Sequence, residues 1–150
     1  MSSYNLRQEQ RNFIKYLTDQ GILDDHFEHI LDLRQGESHQ FLIDLINMFC
    51  SDAESCITQV NKYMNEHIID YAKVITFVHQ IRGSSSSIGG RRMALACRDL
   101  RYACDDMDHA RCLEYFNMVK EEYQILKDKF NIISQMEINI NTHEGKKCEP

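Results

Sequence analysis

Apolar residues recur at helical spacing over most of the chain, and polar caps and glycines divide the pattern into six segments. Leu6, Phe13, Ile14 and Leu17 mark a first helix of about three turns, which stops at Gly21. Asp24 caps a short amphipathic piece carrying Phe27, Ile30, Leu31 and Leu33, and Gln35 and Gly36 end it. From Ser38, an expected N-cap, apolar positions run from Phe41 through Ile46, Phe49 and Cys56 to Met64, a stretch long enough for a bundle helix. Asp70 caps the next segment, in which Tyr71, Val74, Ile75, Val78, Ile81 and Ile88 are apolar, and Gly89 and Gly90 end it. A fifth segment runs from Met93 to Met107; Asp108 caps a sixth, which carries Leu113, Phe116, Tyr123, Phe130 and Ile133 toward Met136.

This pattern predicts an all-α fold: an antiparallel four-helix bundle with two short N-terminal helices capping it, spanning residues 1–138. Residues 139–150 are polar and aperiodic, and a disordered tail is expected there.

Composition narrows the function classes. With 43% apolar and 27% charged residues the chain reads as an ordinary globular domain, and its one proline stands last, at Pro150. The net charge is -6 and no basic run exceeds two residues, so nucleic-acid binding is not expected. No stretch approaches the roughly 20 apolar residues that span a bilayer, and the N-terminus lacks a signal-peptide core. The expected location is therefore cytosol and nucleus, without membrane attachment. Six cysteines without CxxC spacing read mostly as small reduced core residues.

The segment from Val78 to Ile88 concentrates the chemistry. Ser84 to Ser87 would suit a linker, yet the apolar period continues across them, and Ser85 falls on the core side four residues after Ile81. At about 100° per residue, His79 lies more than a quarter turn from the apolar stripe, at the edge of the exposed face. Its own column holds Ala72, Thr76, Gly83 and Ser86, all small, so the imidazole should stand clear of a low surface. Glycine inside a helix costs roughly 1 kcal/mol relative to alanine, and access to His79 supplies a reason for Gly83.

An uncharged imidazole keeps a ring-nitrogen lone pair free to attack phosphorus. Arg82, one turn on, can neutralise phosphoryl charge, and Gln80 can supply a hydrogen bond beside the site. No carboxylate cluster for Mg²⁺ adjoins His79, so no resident metal or cofactor is expected and the catalytic groups must come from a partner. The reading is a phosphocarrier, not a stand-alone enzyme.

His79-Gln80-Ile81-Arg82-Gly83 followed by four serines resembles the signature of plant histidine-containing phosphotransfer proteins. The similarity extends over about residues 6 to 130, through Gly21–Asp24, Phe27, Met48–Glu54, Ala103–Cys104, Cys112, Glu122–Tyr123 and Leu126. It implies a helical bundle that accepts phosphate from the receiver domain of a hybrid sensor kinase and passes it to a response regulator, commonly in cytokinin signalling. His79 matches the phosphorylated histidine, where some relatives carry asparagine and cannot relay. Arg82 replaces the usual lysine, Gly90 a frequent alanine, Cys50 a common aromatic, and Arg111 a frequent glycine.

The resemblance also implies that receivers dock on the second helix and the start of the third. Ile22, Phe27, Ile30 and Phe41 are candidates, with Thr76 and Ser86 beside the histidine; packing of the cap on the bundle is an equally good account of the first four. A monomer is expected. Two rivals remain: a metal-binding bundle built on His26 and His29 beside Asp25 and Glu28, and a non-transferring module that sequesters relay partners.

Overall fold

The computed structural model describes residues 2–33 and 39–148, which form six helices and no strand. These are α1 (Ser3–Asp19), α2 (Asp25–Leu33), α3 (His39–Met64), α4 (Tyr71–Ile88), α5 (Arg91–Asp105) and α6 (His109–Cys148). The expected stop at Gln35–Gly36 and the cap at Ser38 lie outside the described residues.

Side-chain oxygens satisfy otherwise unpaired helix-end N–H groups where the capping pattern predicts them. Asp24 Oδ1 accepts from the backbone N–H of His26 at 2.9 Å, Asp70 from Lys73 at 3.2 Å, and Asp108 from Arg111 at 3.2 Å. Gly89 closes α4 with φ +82°, a conformation that glycine adopts without steric cost. A Cβ there would lie 2.6 Å from the backbone nitrogen of Phe27, so the α4 terminus and the start of α2 leave no room for a side chain. The same junction is tied by the Asp24 N–H, which donates to the Gly89 carbonyl at 2.9 Å.

Helices α3, α4, α5 and α6 close a ring of contacts, α3 on α4, α4 on α5, α5 on α6 and α6 on α3. Helix α1 lies on α6, and α2 lies on α4. Phe130 of α6 stacks on Phe27 of α2 at 5.5 Å between centroids and meets Phe49 of α3 edge-on at 5.7 Å, so three helices share one aromatic cluster. Ser85 is fully buried and donates to the Ile81 carbonyl at 2.7 Å, which lets a polar residue occupy the core face of α4. Cys56, Cys97, Cys104 and Cys112 are buried free thiols, and Cys50 is half-buried.

Two helices run longer than their apolar periodicity indicates. Helix α1 has 17 residues and starts at Ser3, with Ser2 as its cap, so the first of the two N-terminal helices is not short. Helix α6 continues to Cys148 where a disordered tail is expected from Asn139. The shared reason is a polar seam. Glu137, fully buried on α6, accepts from Arg7 Nη1 at 2.8 Å and from Gln10 Nε2 at 3.1 Å. His39 adds α3 to this seam, with Nδ1 3.2 Å from Glu137 and Nε2 2.8 Å from Glu144. Ile133 and Ile140 are buried on either side, so the inner face of α6 alternates apolar and carboxylate positions that an apolar stripe alone does not reveal.

Candidate functional site

The Asp70 cap and the Gly89 terminus fix the rotation of α4, and with it the direction of every side chain on the helix. Val74, Val78, Ile81, Ser85 and Ile88 turn inward. His79 is exposed, and so are Ala72, Thr76, Gly83 and Ser86 around it. A Cβ added at Gly83 would meet nothing within 4 Å, so no neighbour among the described residues requires glycine at this position. Thr76 folds its hydroxyl back onto the Ala72 carbonyl at 3.0 Å, which keeps its profile low beside the imidazole.

Gln80 is exposed but not free. Its Nε2 donates to Asp52 Oδ1 of α3 at 2.7 Å, and Ser84 donates to Asp52 Oδ2 at 2.8 Å. Asp52 therefore holds two consecutive turns of the histidine helix from the adjacent one. The Asp52 charge also acts on Cys56, whose thiol is pushed up to about 11, first by burial and then by that carboxylate.

Surfaces of opposite character flank the histidine helix. Toward α2 and α3 lies a groove of about 330 Å³ lined by Ile30, Leu45, Met48, Phe49, Asp52, Ser84, Ser87 and Ile88, and Met48 leaves 70% of its surface exposed. Toward α5, Arg82 and Ser86 join Arg91, Ala94, Leu95 and Arg98 in a second cleft, which Asp24 and His26 complete. The Arg82 charge is felt at the buried Cys97: burial pushes that thiol up to about 12, and the guanidinium opposes the shift.

Of the expected docking residues, Thr76, Ser86 and Phe41 are exposed and Ile30 is half-buried on the groove. Ile22 and Phe27 are not available to a partner. They are 7% and 0% exposed, packed in the core beneath α2, because the cap has to bury its apolar face against the bundle. His26 places Nδ1 3.1 Å from Asp24 rather than joining a ligand set, and among the described residues no three His, Cys, Asp or Glu side chains are grouped to hold a metal ion. No helix among them is long and apolar enough to cross a membrane.

A family model described as the Hpt domain matches residues 44–129, which take in most of α3, all of α4 and α5, and more than half of α6. The chain belongs to the plant histidine-containing phosphotransfer (Hpt) family. It is 26% identical to histidine-containing phosphotransfer protein 2 of Oryza sativa subsp. japonica, over 97% of this chain and 99% of that one. It is 30% identical to pseudo histidine-containing phosphotransfer protein 5 of the same organism, over 88% of this chain and 87% of that one. A crystal structure of a rice histidine-containing phosphotransfer protein superposes with a TM-score of 0.86 at 26% identity, covering 93% of this chain and 98% of the other.

Within this Hpt chain, sequence reasoning missed Asp52, Leu45, Met48, Arg91 and Arg98 as neighbours of the site. Asp52 and Met48 fall inside the stretch Met48–Glu54 that carries the resemblance. Nothing in a single sequence sets which turn of α3 faces Gln80, and the two flanks arise from that register.

Proposed function

We propose that this Hpt protein is a phosphorelay mediator: His79 accepts a phosphoryl group from the receiver domain of a hybrid sensor histidine kinase and delivers it to the receiver aspartate of a response regulator. The observation that carries the reading is an exposed His79 on a low surface, with Gly83 open and unobstructed one turn away. The frame is read as an antiparallel bundle of α3 to α6, with α1 and α2 as its cap.

In the accepting step a ring nitrogen of His79 attacks phosphorus of the receiver's aspartyl phosphate; the P–N bond forms, the P–O bond breaks, and the aspartate leaves as a carboxylate. The second receiver reverses this: its carboxylate attacks phosphorus and the imidazole departs. Arg82 offsets phosphoryl charge, Gln80 stays fixed by Asp52, and Mg²⁺ with the remaining catalytic groups belongs to the receiver. The protein is thus a carrier. Ile30, Phe41, Thr76 and Ser86 border the face that a receiver would cover. The family relation supports a role in plant cytokinin signalling, with the carrier in cytosol and nucleus.

The alternative is a non-transferring module that sequesters relay partners. Overall identity does not separate the two, since relatives named as transfer proteins match at 26% to 30% and those named as pseudo transfer proteins at 29% to 30%. The presence of His79 favours transfer. Incubation with a phosphorylated receiver domain and Mg²⁺ should give acid-labile, alkali-stable label on the parent and none on His79→Gln. Label that persists in His79→Gln, or its absence in the parent, would remove the relay reading.

A further inference from the structure

The cleft between α4 and α5 has a charge balance that the transfer step does not use. Arg82, Arg91 and Arg98 line about 220 Å³ together with Ser86, Ala94 and Leu95, and among the described residues the only carboxylate on its wall is Asp24. Asp24 is already engaged, accepting from the His26 backbone at 2.9 Å and lying 3.1 Å from the His26 ring. Among the described residues Arg98 pairs with its chain neighbour Asp99 alone, at 3.3 Å. Among the described residues no carboxylate lies within ion-pair distance of Arg82 or Arg91. Three arginines thus border one small cleft in a chain whose net charge is -6.

Like charges held close together repel, and a matching anion relieves that cost. The cleft is smaller than the roughly 300 Å³ at which drug-sized ligand sites begin, and it is open to the same side as Ser86 and Arg82, so it suits one or two side chains of a docked protein. Guanidinium forks match carboxylates in shape as well as charge. We propose that Arg91 and Arg98 form, with Arg82, a specificity pocket for acidic side chains on the receiver domain that covers His79. The apolar groove on the α3 flank would supply contact area, and this cleft would supply orientation and choice of partner. The inference rests on the relay reading and names the chemistry of the partner.

Arg91→Glu/Arg98→Glu tests it, with Arg91→Lys/Arg98→Lys as the variant that keeps the charge. The probe is the phosphorylated receiver domain of a plant hybrid kinase, with label transfer followed against receiver concentration. The charge-reversed protein should need about tenfold more receiver for half-maximal transfer at low salt, shrinking to within about twofold at high salt, with the maximal rate retained. The lysine variant should stay close to the parent. An unchanged half-saturating concentration in the charge-reversed protein, or a loss that salt leaves intact, overturns the pocket while the parent's labelling still stands. Failure of the parent to label is the distinct result that removes the relay reading itself. Inorganic phosphate that raises the parent's melting temperature but not the variant's, with receiver binding unchanged, would assign the cleft to a free anion and also overturn the proposal.

Discussion

Asp52 Oδ1 lies 2.7 Å from Gln80 Nε2, so the residue that follows His79 is held by α3 and not by its own helix. With Ser84 on the other carboxylate oxygen at 2.8 Å, this pairing ties two successive turns of α4 to α3 beside the histidine. Asp52→Ala should lower stability by about 1 kcal/mol, since the bonds are solvent-accessible, and slow labelling of His79 by several-fold through lost positioning. A double-mutant cycle with Gln80→Ala should return a non-zero coupling in the labelling rate. Strictly additive effects would show that the pair does not act as a unit.

The two glycines of the α4 region should respond in opposite directions. Gly83→Ala adds a methyl to open space in a helix interior and should stabilise by about 0.5–1 kcal/mol. Gly89→Ala forces a side chain into φ +82° and against the Phe27 backbone at 2.6 Å, and should cost at least about 2 kcal/mol. Urea unfolding of both variants checks the signs. Gly83→Glu should keep the fold and abolish transfer, because it fills the surface a receiver must approach.

Removing the polar seam should be expensive. Glu137→Ala removes the buried carboxylate to which Arg7 and Gln10 both donate, and a loss of roughly 3 kcal/mol is expected. Deleting residues 139–150 removes Ile140 and Glu144 and should lower the melting temperature as well, whereas a disordered tail could be removed without effect.

The buried thiols give a pH dependence with a definite sign. Burial pushes Cys97 and Cys104 up to about 12 and Cys56 up to about 11, from 9.0. As pH rises above 9 the unfolded chain releases thiol protons that the folded chain retains, so stability is lost between pH 9 and the folded values. The urea midpoint should fall from pH 8 to pH 10.5, and Cys97→Ala should reduce that fall. Alkylation of the native protein should reach Cys50 before Cys56, Cys97, Cys104 or Cys112.

What the sequence made legible was whatever apolar period and capping determine. The caps at Asp24, Asp70 and Asp108, the inward Ser85 and the exposed column around His79 all follow from local geometry, and the structure places them as expected. Contacts between segments were not legible. The Asp52 to Gln80 bond, the buried Glu137 under α1, and the place of Arg91 and Arg98 on one cleft with Arg82 depend on helix register, which a single chain does not encode in its periodicity. Ile22 and Phe27 show the same limit from the other side, because core and docking surface both call for large apolar residues.

Onward transfer tests the central claim most directly. The protein is labelled by a phosphorylated hybrid-kinase receiver, separated from it, and mixed with the receiver of a response regulator and Mg²⁺. The account predicts that label leaves His79 and appears on the second receiver as an aspartyl phosphate. Label that stays on the chain, or that reaches the second receiver equally well through His79→Gln, would contradict it.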